Sequence, residues 1–163
     1  MIPTLALGGL LSLSKSGGGG GPGGGGGGHR YWRITNITTG ALLEISELQL
    51  WFGGANVNGD ATQTSSDVPA FNPLSALFDG LLTSRCYWPD STVETGTSFW
   101  IKWDFGSNQE IDGFKQGGFD TSGRHITDCE LQYSDNDADW TTAQTFSGLT
   151  YPGNNTLSSL YSI

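Results

Sequence analysis

The chain has 163 residues, 36% of them apolar and 12% aromatic, enough for one domain with a sizeable core plus an appendage rather than two domains. Sixteen acids against seven bases leave a net charge of −9. That excludes the basic face phosphate binding needs, and with it a nucleic-acid partner. No run of eighteen apolar residues occurs, so no membrane-spanning helix is expected.

Residues 1–16 are apolar and nearly uncharged. A signal peptide would place a positive residue ahead of its apolar run, where Pro3 stands instead, although Ser12, Ser14 and Ser16 mimic a cleavage site. The segment therefore reads as a cleaved signal or as an apolar peptide that stays attached and docks into a partner protein. Residues 17–28 are eleven glycines and Pro22. Such a tract cannot form a core, and ordering it costs maximal entropy. As a free coil it is a tether spanning about 17–21 Å; the alternative is polyglycine packed against its own copies or along a partner. The expected organisation is an anchor (1–16), a tether (17–28) and a displayed domain (29–163).

In the displayed domain, Tyr31–Thr35 and Ile45–Trp51 alternate as strands, with a register shift expected around Glu47 and a turn at Asn36–Gly40. Residues 53–73 read as a long surface loop, and Pro73–Phe78 as one helical turn leading into Asp79-Gly80. Strict alternation then places Phe99, Ile101, Trp103 and Phe105 on one face and Trp100, Lys102 and Asp104 on the other. Ile111–Phe119 and Ile126–Ser134 continue the pattern, the latter with Cys129, Leu131 and Tyr133 on one face; Trp140–Phe146 and Leu157–Tyr161 are weaker strands. With no sustained helical period, the class is all-β: an antiparallel jelly-roll sandwich. Cys86 and Cys129 fit no zinc or redox spacing and read as two buried thiols or one disulfide.

Three pieces together resemble the discoidin family, also called the coagulation-factor C-type domain, which has a galactose-binding-like fold. They are Ala76-Leu77-Phe78-Asp79-Gly80, the strand from Trp100 to Gly106, and Leu131 to Trp140, in the family's order. One departure stands out. The pair His29-Arg30-Tyr31-Trp32-Arg33-Ile34 and Ser46-Glu47-Leu48-Gln49-Leu50-Trp51 closes the domain in the usual family order, whereas here it opens it. The arrangement looks permuted, like sandwiches of phage structural and adhesion proteins.

The resemblance implies a structural calcium near the Asp-Gly turn, held by Asp79, Ser84 or Thr83, and Glu47, with Asp79 as a plain turn cap the alternative. It also implies that loops at one end bind sugars, lipids or proteins. Arg85, Tyr87, Trp88, Arg124 and His125 are the candidates for a glycan, because aromatic faces stack on pyranoses while Arg and His hydrogen-bond hydroxyls; a core role for Trp88 and an ion pair for Arg124 are the competing assignments. No catalytic constellation is visible. There are two histidines, no G-x-S-x-G, and no Lys-Ser/Thr after the glycine tract. Asp135, Asp137 and Asp139 fit a solvated hairpin turn. The expectation is a non-enzymatic virion component, a phage tail fibre or capsid decoration, with residues 1–28 joining other virion proteins and the domain assembling as a homo-oligomer. The alternative is a secreted bacterial carbohydrate-binding module.

Overall fold

The computed structural model describes residues 27–89, 93 and 99–163. The anchor 1–16 and all but the last two residues of the tract 17–28 lie outside the described residues. Two antiparallel sheets enclose one core. The first has the order β4-β6-β1-β8-β9, formed by β1 (His29–Thr38), β4 (Thr62–Ser65), β6 (Trp100–Gln109), β8 (Asp128–Ser134) and β9 (Thr141–Phe146). The second runs β10-β7-β2-β3, from β2 (Leu43–Phe52), β3 (Ala55–Asn56), β7 (Gly113–Gly118) and β10 (Tyr161–Ser162). The short β5 (Cys86–Trp88) pairs with the start of β2 on the edge that β3 covers at the other end. This is the expected all-β sandwich. Among the described residues, no helix is long and apolar enough to cross a membrane.

The alternation of β6 is realised: Phe99, Ile101 and Trp103 are buried while Trp100, Lys102 and Asp104 are half-buried on the opposite face. The expected register shift in β2 falls between Ile45 and Glu47, opposite Gly118 and Gly117. A bulge of one residue reverses the side-chain parity. Leu43 and Ile45 before it, and Leu48 and Leu50 after it, therefore all enter the core, while Glu44, Glu47 and Gln49 are turned away from it. Those three polar residues are nevertheless buried, because loops cover the outer face of this sheet. Burial of both faces hides the period-2 pattern of β2.

Two expectations need correction. The turn expected at Asn36–Gly40 is in part strand, since β1 continues to Thr38, and it joins two sheets: β1 lies between β6 and β8 in one, and β2 pairs with β7 in the other. The chain crosses between sheets there, and Asn36, at a φ of 51°, sits in a bulge of β1. Residues 53–73 are also not simply a loop, since they contribute β3 and β4. The uncovered middle of β2's edge is closed by the buried Asn58. Its Nδ2 donates to the Leu48 carbonyl at 2.7 Å, and its Oδ1 accepts from the Leu50 amide at 3.0 Å, so one side chain imitates a neighbouring strand. Cys86 and Cys129 are free and buried. Burial pushes both thiols up, Cys86 to about 12, so they stay protonated and inert.

Strand directions define two poles. His29 opens β1 opposite Gln109, and the Ile163 amide donates to the Asp112 carbonyl at 3.0 Å, so both ends of the domain lie at one pole. Gly28 packs so closely there that a Cβ would stand 2.8 Å from the Gln109 carbonyl carbon. β1 then runs its ten residues, about 33 Å, to the opposite pole, where the loops 39–42 and 119–127 gather.

Candidate functional site

Two clusters form over the outer face of β2, each built around a buried glutamate. The first lies at the Asp79-Gly80 turn. A 3-10 turn at Leu74–Leu77 buries Ala76 and Leu77 and delivers the chain to Gly80, which takes a φ of 78°, a conformation open to glycine. The Gly80 amide donates to Glu47 Oε1 at 2.7 Å, and Gln49 Nε2 donates to Glu47 Oε2 at 3.1 Å. Glu47 is 1% exposed, and no basic residue pairs with it among the described residues. Burial pushes its carboxyl above the ordinary range, the bonds from Gln49 and Gly80 pull it back, and the Asp79 carboxylate pushes it up again.

Beside it, Asp79 accepts from the Leu81 amide at 2.8 Å. Ser84 Oγ lies 3.0 and 2.9 Å from the two Asp79 carboxylate oxygens, 2.8 Å from the Leu81 carbonyl and 3.2 Å from that of Ala76. A hydroxyl carries one proton and cannot satisfy four acceptors. The turn is thus rich in oxygen acceptors and short of positive charge, which suits a hard cation such as calcium. Thr83 is exposed and outside this cluster, so Ser84 is the hydroxyl the structure brings in. Among the described residues no three His, Cys, Asp or Glu gather; two carboxylates would need hydroxyl and carbonyl oxygens to complete a shell.

The second cluster surrounds Glu44 at the loop pole. Its side chain is 5% exposed and takes two guanidinium groups: Arg85 Nε stands 2.8 Å from Oε1, and Arg124 Nη1 bonds Oε2. The Arg85 N–H is not aimed at the carboxylate, so that contact is an ion pair held by charge rather than an aligned hydrogen bond. Arg124 also stands 3.6 Å from the exposed Asp120, and the bond from Glu44 raises its basicity further. The Phe71 and Phe119 rings each lie 4.6 Å from the Arg85 guanidinium carbon. Phe71 stacks on Tyr87 and is 45% exposed. Its position is fixed: Phe71 bridges to Tyr87, and Asn72 Nδ2 donates to the Arg85 carbonyl at 2.8 Å.

The structure therefore brings Arg85, Tyr87 and Arg124 together and takes two other candidates away. Trp88 is fully buried, edge-on to Phe99 with its indole N–H on the Asp67 carbonyl, so it has no face to offer a sugar. His125, 6% exposed, ties Gly123 to the Leu149 carbonyl. Trp88 belongs to the hydrophobic core, and His125 is a buried polar residue. Sequence reasoning missed Glu44, Phe71 and Phe119. Glu44 carried a signal, a lone acid in the apolar run Leu42-Leu43-Glu44-Ile45, which requires a cation wherever it is buried. The phenylalanines carried none.

The acidic turn at the other pole is a structural hairpin. Asn136 Oδ1 accepts from the Ala138 and Asp139 amides, while Lys102 and His29 hold Asp137 and Asp135. Against known families, residues 60–161 match the model of the F5/8 type C domain. Domains of that type are in general non-catalytic binding modules. No curated protein and no solved structure matches the chain.

Proposed function

The chain belongs to the F5/8 type C domain family, and on that premise we propose a non-enzymatic glycan-binding module displayed on a larger assembly, a virion component such as a phage tail fibre or capsid decoration. The observation that carries the reading is polar geometry. Both ends of the domain leave from the pole of His29 and Ile163, and the Arg85–Arg124 cluster sits at the other. A module carried by residues 1–28 on other virion proteins, and packed as a homo-oligomer, presents its loop pole outward. Arg85, Arg124 and Tyr87 supply donors and Phe71 the flat surface. Glycan-array binding by the intact chain, lost in Arg124→Ala, tests this; a blank array contradicts it. Mass spectrometry of the mature N-terminus in purified particles tests the assembly. A chain cleaved after residue 16 and found in culture medium would favour the secreted module instead.

The domain is further a permuted member. The family match begins at residue 60, leaving out β1 and β2, and these hold interior positions in the two sheets. Neither sheet is continuous without them, and the neighbouring ends of the described domain, His29 and Ile163, make the permutation cheap.

Calcium at Asp79, Ser84 and Glu47, with the Ala76 and Leu81 carbonyls, completes the proposal. The ion would supply positive charge beside the buried Glu47 carboxylate and fasten the turn to β2. Its role is to staple the fold, and ligand contact belongs to the neighbouring loop pole.

A further inference from the structure

We propose that the loop-pole site is selective for a glycan bearing a carboxylate, of the uronate or sialate class, and that Arg85 reads the acid. This rests on the glycan reading above and deepens it. Arg85 is the least balanced cation of the cluster. The single charge of Glu44 is shared between two guanidinium groups, and Arg124 has Asp120 as a second partner, whereas Arg85 has none among the described residues. Its side chain is one-third exposed at 33%; Nε is buried against Glu44 without an aligned hydrogen bond, and the Nη groups make no hydrogen bond to a described residue. The flanking Phe71 and Phe119 rings occupy the stacking positions and Glu44 covers the Nε side, which leaves the Nη1–Nη2 end as the route of approach. A planar, pre-positioned fork open at that end matches a planar acceptor with two oxygens, so a carboxylate is bound bidentately. Neutral hydroxyls use one donor at a time and gain less. The rest of the sugar then lies toward Phe71, whose 45% exposure leaves apolar surface for a pyranose face.

The position is built in advance. Glu44 sits under the guanidinium at 5% exposure, and Asn72 holds the Arg85 backbone through its carbonyl. Arg85 therefore needs little ordering when a ligand arrives, which favours affinity. Arg85→Lys keeps the charge near Glu44 but removes the fork, so it separates reading of the acid from support of the fold.

The experiment uses the full chain and calorimetric titration with oligogalacturonate, its methyl ester, sialyllactose and lactose, alongside vesicles of phosphatidylcholine with phosphatidylserine. At least one free acid binds about tenfold or more tightly than its neutral counterpart, and Arg85→Lys removes about that factor from the acid alone. Its thermal midpoint, measured in parallel, stays close to that of the parent. Equal affinity for acid and neutral sugars in the unmodified chain overturns the carboxylate inference while leaving glycan binding intact. Binding to no sugar overturns both, and binding only to the vesicles overturns them in favour of an anionic membrane.

Discussion

Glu44 and Glu47 lie three residues apart on β2, both nearly sealed from solvent, yet their charges are met in opposite ways. Glu44 has two guanidinium groups against it. Glu47 has an amide N–H and a carboxamide, with Asp79 making matters worse. An ionised carboxylate out of water is costly unless a counter-charge accompanies it. The same strand, on the same outer face, therefore carries one glutamate met by two guanidinium groups and one that no basic residue meets among the described residues. The difference teaches where to look for ligands. The Glu44 cluster has spare donors and faces outward, whereas the Glu47 cluster is rich in acceptors.

Breaking the first member of the pair has the largest effect. Glu44→Ala leaves two arginines facing each other over a cavity and costs about 2 kcal/mol, below the fully buried case because both arginine side chains are about one-third exposed; chemical denaturation measures it. Asp79→Ala removes the acceptor for the Leu81 amide and for the Ser84 hydroxyl while relieving the like charge beside Glu47, and costs about 1 kcal/mol by the same assay. Moving residues 29–59 behind Ile163 through a short glycine-serine link, with the rest of the chain unchanged, keeps the fold and changes the unfolding free energy by only about the cost of one loop closure, roughly 1 kcal/mol. An unfolded product contradicts the permutation.

The smallest effect belongs to a surface carboxylate that serves as a control for both. The Arg30 guanidinium beside Asp104 holds its carboxyl below the ordinary range, helped by the Gly106 amide. A depressed folded value means that this contribution is present above the unfolded value near 3.8 and is lost as pH falls through the folded one. Asp104→Asn should therefore lower stability slightly at neutral pH, leave it unchanged at pH below the folded value, and so flatten the acid limb of the stability curve.

What could be read in advance followed from local periodicity. The face of β6, the 3-10 turn before Asp79 and the shift near Glu47 all express which side chains alternate, and neighbouring residues suffice to show that. Partner choice between β1 and β2 was hidden because β2 is buried on both faces, so its sequence no longer alternates cleanly. The site was half visible for a related reason. Arg85 and Arg124 are conspicuous as two of only seven bases, but nothing near them in sequence reveals that Glu44 lies between them. Trp88 and His125 have the chemistry of ligand contacts and the burial of core residues, and only tertiary packing separates the two.

The contrast between the two glutamates is tested most directly by the thermal midpoint of the intact chain in calcium and in chelator. The account predicts a lower midpoint on chelation, restored by added calcium, with that response absent in Asp79→Ala and in Glu47→Gln. The Glu44 cluster contributes nothing to it, so Arg124→Ala keeps the full response. A parent midpoint that is the same in calcium and in chelator would contradict the proposed calcium site, because Glu47 would then be tolerated with the Gly80 amide and the Gln49 carboxamide alone.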